Sequence, residues 1–239
     1  MKIVEKTENQ IAFTADIDES LANAIRRYVS EVPTLAIDEV EIFKNDSPLY
    51  DETIAHRMGL IPLKMEKGIT DKSQITLKLV ASDEGFVYSG KLEGNAKIVY
   101  EKIPITSLNK GQELEIVATA KLGKGNEHSK FSPGLMFYRH VLEITLDKSL
   151  SEKVKRLCPN AEIKEKGDKL IIIDDKRKDI ADICEGIAEK AKKKAETKPT
   201  GDLLITVESF GQMDPEEIFK KSIDVLRKDL AEIEKKISK

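Results

Sequence analysis

"PLYDETIAHRMGLIPLKM", residues 48–65, joins a short helical stretch to an apolar run that cannot stay helical. The helix carries His56 and Arg57. Gly59 stands where a helix commonly stops, and in Leu60-Ile61-Pro62-Leu63 the proline removes a backbone donor and clashes with the preceding turn. Read from the residues alone, this is an exposed apolar loop pinned by a glycine and a proline, and such a loop is suited to docking.

Upstream lies "LANAIRRYVSEVPTLAIDEVEI", residues 21–42. Leu21, Ala24, Ile25, Tyr28 and Val29 recur at three and four residues and form one apolar helical face, with Asn23, Arg26, Arg27 and Ser30 opposite. Asp18 is placed to cap this helix, with Glu19 in its first turn. Pro33 ends it by biasing Val32 out of the α region. Beyond the proline Leu35 and Ile37 alternate as a strand, but Val40 and Ile42 are out of phase by one. A bulge or a change of sheet near Asp38 restores the phase.

Residues 2–14 read as a hairpin. Strands are expected at 75–79, 96–100, 113–120 and 141–146, making 70–148 a β-rich block. From 149 the composition shifts to a hairpin around Lys166-Gly167-Asp168 and a helix from Lys178 to Lys194. The Lys-rich "KAKKKAETKPTG" follows as the flexible exit of a separate insert. Strand returns at 203–207, and Asp214-Pro215-Glu216-Glu217 opens a long final helix. In that helix Phe219, Ile223, Leu226, Leu230, Ile233 and Ile237 are spaced four, three, four, three, four, a coiled-coil seam that needs a partner surface. Ile218 and Val225 lie off the seam, so the apolar surface is wider than one contact uses.

At 239 residues the chain can bury its own core without disulfide staples. Its 40 basic and 43 acidic residues nearly cancel, against the basic excess of a free-standing nucleic-acid binder. The two cysteines, Cys158 and Cys184, suit a reducing compartment. "MKIVEKTENQ" lacks a signal peptide's apolar stretch and no run reaches membrane-spanning length, so a cytoplasmic protein is expected. No phosphate loop, dinucleotide fingerprint or nucleophile elbow occurs. "KLGKGNEHSKFSP", residues 121–133, is read either as a phosphate cradle or as a two-glycine turn between strands. His56, His128 and His140 have no metal-ligand spacing. Asp174-Asp175 is read as a solvated turn closing a strand, against a divalent-cation site.

Together with "FSPGLMFYRHVLEI" and "VESFGQMDPEEIFKKSIDVL", the two opening stretches strongly resemble the D subunit of archaeal RNA polymerase, over nearly the whole chain. That family is related to the amino-terminal part of the bacterial α subunit and to the third-largest eukaryotic polymerase subunit. The resemblance implies an α+β fold. Its parts would be a discontinuous α-subunit-like dimerisation domain, residues 1–42 and 201–239, an inserted β-rich domain, 43–148, and a degenerate ferredoxin-like insert, 149–200. It implies a non-catalytic assembly platform that heterodimerises with a smaller α-like partner, the L subunit, and docks the large catalytic subunits beside other small ones. The nucleotidyltransferase class would belong to the assembly. Leu21, Ile25, Tyr28, Phe219, Ile223, Leu226, Leu230, Ile233 and Ile237 would face the L subunit. Arg26, Arg27, His56, Arg57, Gly59, Leu60, Ile61, Pro62 and Leu63 would face the large subunits.

Many relatives hold an iron–sulfur cluster in the third region. Here only Cys158 and Cys184 are present, where a cluster needs about three or four thiolates, so no cofactor is expected and the insert would serve as packing and partner surface. The chain lacks the clustered carboxylates of a polymerase centre, so no catalytic residue is expected. The alternative readings are a free-standing nucleotide- or phosphate-binding protein and an independent nucleic-acid-binding module.

Overall fold

The computed structural model describes residues 1–66, 68–70, 73–159, 161–175 and 180–238. Its strands are β1 (Lys2–Lys6), β2 (Gln10–Ala15), β3 (Thr34–Asn45), β4 (Ile75–Ala81), β5 (Gly85–Tyr88), β6 (Glu93–Gly94), β7 (Pro104–Leu108), β8 (Leu114–Gly123), β9 (Gly134–Asp147), β10 (Glu162–Lys166), β11 (Lys169–Asp174) and β12 (Glu196–Ser209). Its helices are α1 (Glu19–Tyr28), α2 (Asp51–Gly59), α3 (Ser151–Leu157), α4 (Ile180–Lys190) and α5 (Pro215–Ile237). The fold is mixed α/β and sheet-rich. Two compact units form, residues 1–24 with 136–207 and residues 25–135 with 208–239.

The first unit is built on a six-stranded sheet in the order β1-β2-β12-β9-β11-β10. The expected amino-terminal hairpin forms as β1 and β2. The second expected hairpin turns at Gly167, whose φ of +61° is the left-handed geometry that glycine adopts without a Cβ penalty. Its strand β11 alternates Leu170, Ile172 and Asp174 inward, and pairs antiparallel with β9 so that Leu170 faces Leu146 and Ile172 faces Ile144. Val154 of α3 and Ile180, Cys184 and Ile187 of α4 pack onto this face.

The stretch from 149 is therefore not a separate module, because its hairpin extends the same sheet as β9. Its Lys-rich end is not a flexible exit either, since β12 starts at Glu196. The start expected for the helix at Lys178 lies outside the described residues; α4 ends at Lys190, and Lys192 follows at φ +54°. Helix α3 was not legible, since seven residues give less than two turns of periodicity.

Asp174 and Asp175 are buried, which corrects the solvated turn. Arg139 donates to the Asp174 carboxylate at 2.9 Å and to its carbonyl at 3.2 Å, and the Ala181 N–H donates to the second carboxylate oxygen at 3.4 Å. Burial nonetheless pushes the Asp174 carboxyl above its usual value, against the pull of Arg139. Replacing Arg139 by Met should destabilise the chain by about 3 kcal/mol, because breaking a buried pair leaves an uncompensated charge. A folded pKa above the unfolded one means that the ionised form weighs on stability at neutral pH and that the burden lifts as pH falls through the raised value. The deficit of Arg139→Met in chemical denaturation should accordingly narrow on acidification.

The second unit holds a four-stranded sheet, β3-β8-β4-β6, and the pair β5-β7. Alternating burial in β4 and β8 places Leu77, Leu79, Ile116 and Ala118 in one core with Leu35 and Ile37 of β3. The β3–β8 register shifts between Ile37 and Glu39, so the phase break at Asp38 is a bulge within one twelve-residue strand. The strand expected at 96–100 is reduced to an isolated bridge between Leu63 and Ile98. Strands β5 and β7 escaped notice because they are four and five residues long and begin at a glycine and a proline.

Gly59 is the last residue of α2, where the sequence places the stop; the Leu60 and Ile61 N–H groups close the helix by donating to the carbonyls of Arg57 and Met58. Ile61 is 1% exposed and Leu63 0%, in one core with Ile54 and Met58. The apolar loop is consequently an anchor, and only Leu60 at its head is exposed among the leucines and isoleucine.

Candidate functional site

Helix α1 runs as the spacing predicts, with Glu19 in its first turn, and passes through a 3-10 turn at Val29–Glu31 to Val32, whose ψ of 118° is the extended backbone that a following proline requires. Its buried face is Ala22, Ile25 and Val29, and Leu21 is exposed. Counting Leu21 into the core set the face one residue off. Ile25 is thus occupied within its own chain, which corrects its expected place on a partner surface. Arg26 and Arg27 are exposed, as their side of the helix predicts.

In α5, Pro215 occupies the first turn after Asp214, with the Ile218 N–H donating to the Asp214 carbonyl. Pro215, Ile218 and Ser222 are buried. The helix thus rests on the side that includes Ile218, which sequence spacing had placed off the seam. Of the seam, Phe219, Ile223 and Leu226 are half-buried, while Leu230, Ile233 and Ile237 are 55%, 51% and 81% exposed. Every described residue from Leu230 on is exposed, about two turns of helix.

Tyr28, expected to face the L subunit, donates its hydroxyl at 3.0 Å to Asp229 of α5. That bond, with desolvation behind it, raises the tyrosine's pKa. Tyr28→Phe should reduce stability by about 1 kcal/mol. The contribution is present below the ordinary tyrosine pKa and lost as pH rises through the raised one, so mutant and wild-type denaturation midpoints should converge in strong alkali.

A second surface surrounds the bulge. The Asp38 carboxylate accepts from Lys121 at 2.6 Å and from Lys130 at 2.8 Å, and these bonds, Lys121's first, hold its pKa below the usual range. A cavity of about 130 Å3 beside it is lined by Ile37, Asp38, His56, Leu60, His128 and Lys130. A groove of about 400 Å3 shares Leu60 and Lys130 and adds Pro62, Tyr100, Phe210 and Gln212. Leu60, Tyr100 and Phe210 are exposed at its rim. Of the expected docking residues, His56 is exposed, Arg57, Gly59 and Pro62 are half-buried, and Ile61 and Leu63 are core. Asp38 was readable only as a phase break, since its lysines lie 83 and 92 residues away in the chain. Tyr100 gave no sequence signal, and Phe210 and Gln212 entered only within the stretch that carries the family resemblance.

The 121–133 loop packs on its own chain. Glu31 binds Lys124 and Asn126, the Gly125 N–H donates to the Ser30 carbonyl, and the Lys130 N–H donates to His128 Nδ1. Four N–H groups or cations that a phosphate would need are thereby engaged, and the stretch is a turn between β8 and β9. Among the described residues, no group of three or more His, Cys, Asp or Glu side chains is arranged to hold a metal ion. Among them, no helix is long and apolar enough to cross a membrane.

Residues 40–136, which include the part of β3 beyond the bulge, α2 and the loop after it, match the family described as the RNA polymerase Rpb3/RpoA insert domain. The sheet-rich, mixed α/β fold is consistent with an Rpb3/RpoA-like domain. The chain is 36% identical to DNA-directed RNA polymerase subunit Rpo3 of Thermococcus kodakarensis, with 94% of this chain and 92% of that one covered. It is 35% identical to the Rpo3 of Pyrococcus horikoshii, covering 95% and 93%, and 30% identical to that of Methanothermobacter thermautotrophicus, covering 93% of each. The chain belongs to the Rpo3 family of DNA-directed RNA polymerase subunits, for which the archaeal D subunit is an equivalent name.

Proposed function

We propose that the chain is a non-catalytic platform of the polymerase, pairing with a smaller α-like partner, the L subunit, through the outer face of α5, and then receiving the large catalytic subunits on the surface around Leu60. The observation that carries the reading is the seam from Phe219 to Ile237, of which the outer three residues are wet although the helix is already anchored by its other side. An amphipathic helix with a second apolar stripe is under-satisfied alone. On this reading residues 1–42 and 201–239 serve dimerisation, 43–148 is the docking insert, within which most of the matched region falls, and 149–200 descends from a ferredoxin-like insert. Arg26, Arg27, His56, Arg57 and Leu60 supply the outward groups toward the large subunits, and other small subunits join the same assembly in the cytoplasm.

Co-expression with the smaller subunit followed by size-exclusion chromatography tests this. One early-eluting heterodimer is expected, and two separate monomer peaks at micromolar concentration would refute it.

The reading also assigns no cofactor and no nucleotide chemistry to this chain. Cys158 and Cys184 are buried free thiols, and burial pushes Cys184 up to about 12, away from the thiolate form that ligates metals. Anaerobically purified chain is expected to be colourless and iron-free by metal analysis, and to give no heat with NTP in calorimetry. Several irons per chain or micromolar NTP affinity would overturn that assignment.

A further inference from the structure

On the first unit, a groove of about 440 Å3 runs between α3 and α4, remote in sequence from both the seam of α5 and the surface around Leu60. Its apolar lining is presented outward by Leu157 and Ile183, both exposed, above the buried Ile187. Around these stand Lys153, Arg156 and Lys190, with Asp182 the single acid in the lining. Lys155, in the same turn of α3, is engaged with Glu165, whereas among the described residues no ion pair engages Lys153, Arg156 or Lys190.

Gly186 of α4 also lines the groove. It lies inside α4 with no positive φ, and a Cβ built on it would meet nothing within 4 Å. Neither backbone geometry nor crowding within the chain calls for glycine there, although glycine weakens a helix interior relative to alanine. Bare backbone at a groove wall gives an approaching chain closer access than any side chain would.

We propose that this groove docks an acidic amphipathic peptide segment of a partner protein. One large apolar side chain of the segment sits between Leu157 and Ile183, its backbone lies over Gly186, and its carboxylates meet Lys153, Arg156 and Lys190. A nucleic-acid strand fits less well: its phosphates would use the three cations but leave the apolar pair and the glycine without a role, and would meet Asp182.

The test pans a random dodecapeptide library on the full-length chain, counter-selecting on the triple variant Lys153→Glu, Arg156→Glu, Lys190→Glu. Selected peptides are then measured by fluorescence anisotropy. Enriched peptides should carry net negative charge and at least one Leu, Ile, Phe or Trp, and should bind the triple variant at least tenfold more weakly. Gly186→Leu should likewise weaken binding at least tenfold, while Gly186→Ala raises the thermal midpoint and weakens binding less. Circular dichroism establishes that each variant is folded. The proposal is overturned by no enrichment, by basic or neutral winners, by equal binding to the triple variant, or by a twenty-residue oligothymidylate that binds the chain more tightly than the peptides.

Discussion

Changing Leu230 and Ile237 together to Glu is expected to abolish co-purification with the smaller subunit while leaving this chain folded. Both side chains are more than half exposed in the free chain, so charging them removes little internal packing. On pairing, each large apolar side chain moved fully out of water contributes roughly 1.5–3 kcal/mol. Two or three such side chains exceed what association leaves to spare after its entropic cost, so their loss turns a stable complex into an undetectable one. Circular dichroism before and after mutation, with chromatography of the co-expressed pair, reads both halves of the expectation. Retention of the heterodimer by the double variant would remove α5 from the interface.

The second large effect separates two neighbours in the chain. Ile61, 1% exposed, should behave as a core residue: Ile61→Ala is expected to cost about 2–5 kcal/mol and to lower the unfolding midpoint of the isolated chain. Leu60, 51% exposed, should do the opposite. Leu60→Glu should leave stability within about 0.5 kcal/mol of wild type and spare the heterodimer, yet block incorporation of the large subunits in reconstitution. A Leu60→Glu chain that assembles polymerase at the wild-type yield would place the docking contact elsewhere.

These neighbours also mark how far a sequence can be read. The elements that repeat their pattern several times were legible: the helix before Pro33, the long final helix, the hairpin at Gly167, and the bulge at Asp38, where one missing step of alternation shows directly. Facing was less legible, because apolar residues on a helix do not say which of two stripes meets its own chain. Spacing put the seam of α5 first, and the fold uses the Ile218 side instead. The same ambiguity turned the Ile61-Pro62-Leu63 run outward, when its partners in the core come from strands that are distant in sequence. Ion pairs such as Arg139 with Asp174 lie 35 residues apart and leave no periodic trace.

The pairing of β11 with β9, from Lys169 opposite Asp147 to Asp174 opposite Leu142, has a consequence for anyone trimming the molecule. A deletion of residues 149–195 would remove the neighbour that occupies one side of β9. It would lay bare a row of unpaired N–H and C=O groups flanked by Ile144 and Leu146, a ready template for intermolecular strand addition. The region that looks most like an accessory is thus what keeps this edge from polymerising, and a shortened chain would need charged or proline substitutions along β9 to stay monodisperse.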